Sequence, residues 1–224
     1  MKERPILFSG AMVRALLDGR KSQTRRVVNV QPPCPGYQMA RVIDTTGPRS
    51  HVGKLHWVAV DGTNVIDSHE VFFACPYGTI GDRLWVRETW AYSWGTDGEC
   101  PVTPSGEVTP WPHEDAEVFY RADGEGQFEG PWQPSIFMRR HASRLTLEIT
   151  GVRVERVQDI SEADAWAEGF PDPEGCNREY PDRARYWYRT LWDSINGAKP
   201  GCSWEANPWV WIVEFKRVEQ ETAR

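Results

Sequence analysis

Two stretches of the chain show the apolar–polar alternation of a strand, and this pattern constrains the fold more than any other feature. Between residues 143 and 157, the side chains of Leu145, Leu147 and Ile149 share one face, and Trp209 to Val218 alternates in the same way. A period of two is typical of a strand with one buried face, whereas a helix has a period of 3.6. The sequence therefore predicts a β-sheet at the centre of the fold.

Shorter patterns predict further elements around this sheet. Ile6–Phe8 and Arg83–Trp90 have the composition and alternation of strands, and a helix is predicted over Ser9–Leu17. Ser161 is a good N-cap for a second helix, and a third helix is predicted from about residue 182 to 195. The apolar face predicted for the third helix contains Ala184, Trp187, Leu191 and Ile195.

Two regions interrupt these elements, at about residues 29–80 and 91–140, and both are rich in Pro, Gly and polar residues. We interpret them as loop-rich insertions, the first with a hairpin. The remaining order is strand, helix, several strands, two helices and a closing strand. Short strands with many turns favour a small β-barrel with peripheral helices, which is an α+β fold. A length of 224 residues suits one such domain over residues 1–224 with both insertions.

The overall charge limits the partners that the chain can bind. A formal net charge of −6 argues against a protein that coats duplex DNA through many phosphate contacts. A single nucleotide, a flipped base or a short single strand needs only a local basic patch. The 12 Trp residues either fill a small core or stack on flat ligands such as bases.

The cysteines do not indicate a metal site or a disulfide framework. None of the five forms a Cys-x-x-Cys pair, which fits reduced thiols in a cytoplasm. The spacing of Cys34, Cys75, Cys100 and His113 does not argue for zinc, and we predict no metal and no cofactor. There is no run of 18 apolar residues and no apolar core after Met1, so we expect no membrane partner and a cytoplasmic location.

The first candidate for chemistry is the basic segment from Gly19 to Arg26, which holds four cations. It is either a solvated loop or an anion-binding loop in which Lys21 and Thr24 project together. In the second case Arg20, Arg25 and Arg26 repel the charge of Lys21, and burial adds desolvation. Both effects lower the pKa of Lys21, and a neutral amine can take a proton from a hydroxyl or a water.

Glu168 is the second candidate, because it falls in the last turn of the predicted second helix. A carboxylate at that end opposes the helix dipole. Charges placed against a structural preference can mark a functional site, although an exposed Glu there costs little.

The third candidate is Glu88, which shares a strand face with Leu84 and Val86. If that face is buried, Glu88 needs a cationic partner from elsewhere, since Arg87 points the other way. Arg144 belongs to a basic cluster that is either a solvated edge or a phosphate contact. The other members of this cluster are Arg139, Arg140 and His141.

The pattern Gly19-x-Lys21-x-x-Thr24-x-Arg26 resembles the signature of ASCH domains, a branch of the PUA-like superfamily. Four further stretches resemble the long phage and prophage members of that family, and together they cover most of the chain outside the insertions. They are Leu84–Trp90, Ala142–Leu147, Asp193–Asn196 and Asn207–Trp211. The resemblance implies a β-barrel with a helix across one mouth and a cleft beside it, and a bacterial host cell as the location if the chain is of phage origin.

A small bacterial member of the family is an amidohydrolase that removes the acetyl group from N4-acetylcytidine. Its Lys, Thr and Glu fall on Lys21, Thr24 and Glu168 here. The resemblance implies that Lys21 acts as a base toward Thr24, that Thr24 attacks the amide carbonyl, and that Glu168 passes a proton to the departing amine. The chain is about twice as long as that enzyme, which leaves the substrate open. We predict that substrate binding involves Arg20, Arg25, Arg26, Arg87, Glu88 and Arg144.

Four functions are compatible with these observations. The first is an amidohydrolase for an N4-acylated cytidine or a related nucleoside or nucleotide. The second is a PUA-like module that binds RNA or a modified base without catalysis, through stacking and phosphate contacts. A nuclease and a phage assembly role are the third and fourth. The expected partner is a nucleoside, a nucleotide or a single-stranded nucleic acid.

Overall fold

The computed structural model describes residues 1–32, 37–41, 54–61, 64–93, 117–124, 128–172 and 182–218. The strands are β1 (Glu3–Leu7), β2 (Gln23–Val27), β3 (Tyr37–Arg41), β4 (Leu55–Asp61), β5 (Asn64–Phe73), β6 (Arg83–Arg87), β7 (Trp90–Ser93), β8 (Glu117–Tyr120), β9 (Thr146–Arg156) and β10 (Trp209–Val218). The helices are α1 (Gly10–Leu17), α2 (Glu162–Ala167) and α3 (Arg183–Asn196). Cys34, Cys100 and His113, considered above for zinc, lie outside the described residues.

The centre of the fold is a five-stranded sheet in the order β1-β6-β9-β10-β2. The two alternating stretches form its longest strands, β9 and β10, which pair antiparallel from Thr146–Val218 to Arg156–Trp209. β1 pairs with β6 in parallel, and the other neighbours are antiparallel. The predicted α+β class is confirmed. None of the described helices has the length and apolarity that crossing a membrane would require.

A β-barrel was expected, but none of the three sheets in the described ranges closes into one. β1 and β2 are its two edges, and α1 connects them. A side chain spans the gap, because Arg26 donates from Nη2 to the carbonyl of Leu7 at 2.7 Å. The guanidinium of Arg26 also lies 5.4 Å from the ring centre of Phe8. The edges therefore approach each other through side chains rather than through a strand ladder.

The first predicted insertion contains a three-stranded antiparallel sheet, β3-β4-β5, that packs on the central core. Trp57 of β4 is fully buried, and its ring centre lies 5.2 Å from that of Trp209 and 5.8 Å from that of Phe73. Its indole N–H donates to the carbonyl of Val30 at 2.8 Å, which satisfies the one donor that a buried Trp carries. Trp57 thus joins the small sheet to the central one.

The third helix lies where it is predicted, and Ala184 and Trp187 pack inward as expected, but the buried face is rotated by one residue from the predicted one. The residues of α3 that are buried are Ala184, Tyr188, Trp192 and Asn196. Ile195, expected to be buried, is 46% exposed. Apolar periodicity does not reveal this face, because a Tyr and an Asn occupy two of its buried positions.

Trp57→Ala tests whether the first insertion is part of one cooperative unit. We expect a loss of about 3–5 kcal/mol in the free energy of unfolding, because a large aromatic side chain leaves a cavity in the shared core. Urea unfolding followed by circular dichroism measures it. The control is Tyr186→Ala, since Tyr186 is 73% exposed and its loss should cost less than about 0.5 kcal/mol. Two separate transitions for the wild-type chain would contradict a single unit.

Candidate functional site

Lys21 and Glu168 form a buried ion pair between the start of β2 and the end of α2. The ammonium of Lys21 donates to Oε2 of Glu168 at 2.8 Å and to the carbonyl of the same residue at 2.8 Å. The side chains are 0% and 2% exposed. The backbones also meet here, because Ser22 donates its N–H to the carbonyl of Ala167 at 2.9 Å. Two residues 147 positions apart in the sequence are thus held in direct contact.

The same face of β2 carries two further polar side chains that bind α2. Gln23 donates from Nε2 to the carbonyl of Asp164 at 2.7 Å. The side chain of Arg25 has no exposed surface and lies 3.2 Å from Asp164 and 3.5 Å from Glu168. Lys21, Gln23 and Arg25 alternate along the strand, so all three point to one side. The segment was expected to be a loop, but from Gln23 onward it pairs with β10 as a strand, and its polar side chains find partners on α2.

Local sequence features fix α2 in this place. Ser161 and Asp164 form a capping box at the N-terminus of α2, as Ser161 predicted. Glu162 accepts the N–H groups of Ala184 and Arg185 at 2.8 and 3.0 Å, so it caps the N-terminus of α3. These contacts hold α2 and α3 together and thereby set the position of Glu168 relative to α3.

Gly169 allows the end of α2 to approach β2 closely. Its φ is +98°, and a Cβ atom at this position would lie 2.8 Å from the Cβ of Ala15 and 3.2 Å from that of Lys21. Both the backbone conformation and the space therefore require glycine. Arg20 supports the same turn by donating to the carbonyls of Gly169 and Phe170 at 3.0 and 3.2 Å.

A cavity of about 290 Å³ lies beside this ion pair. Four of the predicted site residues line it, namely Thr24, Arg25, Arg26 and Glu168. The opposite wall comes from α3, through Tyr188, Leu191, Trp192, Ile195 and Asn196. Lys21 does not line the cavity but lies behind Glu168. The structure thus brings the carboxylate of Glu168 and the residue Thr24 to one cavity, with Lys21 in contact with the carboxylate.

Burial shapes the acid–base properties of this site. Burial lowers the pKa of Lys21, and the charge of Glu168 opposes the shift. The direction agrees with the expectation from sequence, although desolvation is a larger cause than repulsion from Arg25 and Arg26. Burial also raises the pKa of Tyr188 well above its usual range, and the charge of Glu168 adds to this effect. The Tyr188 phenol is therefore protonated at neutral pH and can donate a hydrogen bond.

The other predicted binding residues do not line the cavity. Arg20 holds the turn at Gly169, as described above. Arg87 donates to the carbonyl of Ile136 at 3.1 Å and lies 4.6 Å over the ring of Trp85.

Glu88 and Arg144 form a second buried pair, apart from the cavity. Glu88 is 1% exposed and accepts two hydrogen bonds from Arg144 at 3.0 Å each, so it has the inward position and the distant partner that the sequence required. Burial raises the pKa of Glu88, and the hydrogen bonds from Arg144 oppose the shift. Arg144 also pairs with Asp123 at 2.7 Å and stacks on Tyr120. This cluster ties the second insertion to β6, and its predicted substrate contact stays a prediction.

Sequence reasoning missed the polar residues that α3 contributes to the cavity. Tyr188 and Asn196 lie eight residues apart on the face that also carries Ala184 and Trp192. The four buried residues of α3 recur at every fourth position, which is a helical spacing. A search restricted to apolar residues does not find this face, because it leaves out Tyr and Asn. Asn29, Tyr77 and Lys199 also line the cavity from three separate loops, and no local pattern links them.

No group of three or more His, Cys, Asp or Glu residues suited to a metal ion occurs within the described ranges. Comparison with known proteins gives no match to a protein-family model, to a curated protein or to a solved structure.

Gly169→Ala tests the close approach at the ion pair, with Gly81→Ala as the matched control. Gly81 also has a positive φ, +86°, but nothing lies within 4 Å of its added Cβ. We expect about 1–2 kcal/mol of destabilisation for the control from the backbone conformation alone. Gly169→Ala should lose about 1–3 kcal/mol more, because it also forces Ala15 and Lys21 apart. Equal losses in urea unfolding would contradict this packing.

The lowered pKa of Lys21 predicts a pH-dependent contribution to stability. Between the folded pKa and the unfolded value near 10.5, the unfolded chain binds the proton that the folded chain has released. The contribution of Lys21 to the free energy of unfolding should therefore rise with pH in that window. Urea unfolding of the wild-type chain and Lys21→Met between pH 7 and 10 measures the difference. A difference that falls with rising pH would show that the pKa is raised instead.

Proposed function

We propose that the chain is an ASCH-type member of the PUA-like superfamily and hydrolyses the acyl amide of an N4-acylated cytidine or a related nucleoside. The observation that carries the proposal is the contact between Lys21 and Glu168 at the wall of a cavity that Thr24 also lines. These are the three residues on which the family resemblance places a catalytic role. A second support is that α1 joins the two edge strands of the central sheet and that Arg26 of one edge binds the carbonyl of Leu7 on the other.

The proposed reaction begins with the acyl carbonyl next to Thr24. The Lys21 side chain, which lies behind Glu168, must turn toward Thr24 to take the proton of its hydroxyl, and the hydroxyl oxygen then attacks the carbonyl carbon. The N4 amine leaves with a proton that Glu168 delivers, and water then hydrolyses the ester on Thr24. Desolvation favours the neutral amine that the first step needs, and the contact of 2.8 Å gives a proton a direct path between Lys21 and Glu168. Arg26 lines the cavity and can stabilise the oxyanion.

The second candidate is a binding module without catalysis. It is favoured by the complete burial of the Lys21 side chain, which in this state does not reach the cavity. A buried ion pair of this kind can form a rigid part of the cavity wall against which a ligand binds without reacting. Base recognition would then come from Tyr188, Trp192 and Asn196 of α3.

Thr24→Val separates the two functions with little risk to the fold, because it removes a hydroxyl while keeping the shape. Purified protein is incubated with a panel of N4-acylated cytidines and cytosines, and loss of the acyl group is followed by chromatography. We expect the deacylation rate to fall by about 10²-fold or more in Thr24→Val and in Lys21→Ala. The matched control is Thr146→Val, a buried Thr on β9 of the same sheet that does not line the cavity.

Turnover in the wild-type chain that survives Thr24→Val would exclude the proposed nucleophile. Absence of turnover across the panel, together with binding of the same nucleosides, would instead favour the non-catalytic module. Circular dichroism of Lys21→Ala is needed beside its rate, because removing one partner of a buried ion pair can cost about 3–5 kcal/mol.

A further inference from the structure

A second cavity continues from the first one. It has a volume of about 620 Å³ and is lined by Val27, Asn29 and Cys202, which also line the first cavity. The first cavity, at about 290 Å³, is at the low end of the ~300–1,000 Å³ that small-molecule sites occupy. It is therefore sized for one nucleoside, whereas the two together can hold a longer ligand.

The cations along this groove are placed for an anionic ligand. Arg26 and Lys199 line the first cavity, and Arg156 lines the second. Among the described residues that line either cavity, Glu168 is the only carboxylate, and it is paired with Lys21. This local excess of positive charge contrasts with the net charge of −6 of the whole chain.

Arg156 is held in a fixed orientation at the second cavity. Its guanidinium lies 4.6 Å from the ring centre of Trp209, and its Nη1 donates to the carbonyl of Asn207 at 2.9 Å. No hydrogen bond joins its Nε or Nη2 to another described residue, and the carboxylate of Asp159 acts on the guanidinium through its charge alone. An oriented guanidinium with two donors left over is suited to a phosphate oxygen.

The loop after α3 forms a prebuilt wall along both cavities. Trp192 donates from Nε1 to the carbonyl of Cys202 at 2.8 Å, and Asp193 accepts the N–H of Trp204 at 2.7 Å. Gln158 binds the carbonyl of Trp204 from the other side at 2.9 Å. Because these hydrogen bonds within the chain hold the wall in place, little ordering is needed when a ligand binds.

We infer that the groove takes a single-stranded nucleic acid, with the modified nucleotide in the first cavity and the phosphate of a neighbouring nucleotide against Arg156 in the second. The inference rests on the proposed function and names its substrate as a residue within a strand rather than a free nucleoside.

The test compares free N4-acetylcytidine with single-stranded pentanucleotides that carry N4-acetylcytidine or cytidine at the centre, with ribose or deoxyribose sugars. Binding is measured by fluorescence anisotropy of labelled strands, with the nucleoside as competitor, at several salt concentrations. Deacylation is followed on the same compounds. We expect the strand to bind at least about tenfold more tightly than the nucleoside, with an affinity that falls as salt rises.

Arg156→Gln should weaken strand binding and lower the slope of log affinity against log salt by about one. It should change nucleoside binding less. The matched control is Arg217→Gln, which removes the same charge from an exposed position on β10 that lines neither cavity. The control should leave the salt slope unchanged.

The two proposals fail in different ways. Turnover of the nucleoside with no preference for the strand, or equal effects of the two Arg variants, would contradict strand binding in the groove. The proposed deacylase activity would be unaffected by that result. Binding of the strand that depends on salt and on Arg156, without deacylation of any compound, would support the groove and overturn the enzyme. A preference for ribose or deoxyribose strands supports the groove in either case and identifies its ligand as RNA or DNA.

Discussion

The buried pair of Lys21 and Glu168 is the interaction on which the arrangement of this site depends. Taking two charges out of water costs several kcal/mol each, so neither side chain can stay buried in its charged form without the other. That requirement fixes the end of α2 against the start of β2. The glycine conformation at Gly169 and the capping of α3 by Glu162 both follow from this position, since each maintains the same close contact. The cavity wall is therefore a consequence of charge pairing as much as of apolar packing.

Much of the framework was readable from the sequence because its signals are local. The alternation that predicted β9 and β10 depends on neighbouring residues, and so does the capping box at Ser161. Glu88 was placed inward by the same argument, and a buried carboxylate then required a cation. That cation is Arg144, which lies 56 residues away in the sequence. The sequence alone points only to a partner somewhere outside the strand, and Arg144 is one of several residues in a basic cluster.

The parts that could not be predicted share one physical cause, which is polar burial. β2 contains Gln23, Thr24 and Arg25 at buried positions, so its sequence has the composition of an exposed loop. Tyr188 and Asn196 misled the assignment of the α3 face in the same way. In each case the partners or the cavity lie far away in the sequence, and residue periodicity cannot supply them. Functional sites are where local rules and global structure are expected to disagree.

The distribution of charge is compatible with the anionic ligand that we propose, although the chain as a whole is acidic. Its carboxylates near the site are used internally, since Asp164 and Glu168 neutralise Arg25 and Lys21 on the α2 side of β2. Arg26, Lys199 and Arg156 lie instead along the cavities. At physiological salt the Debye length is about 8 Å, so the ligand responds to these nearby cations far more than to the net charge. A surplus of negative charge elsewhere then discourages long duplexes, while a short strand reaches only the groove.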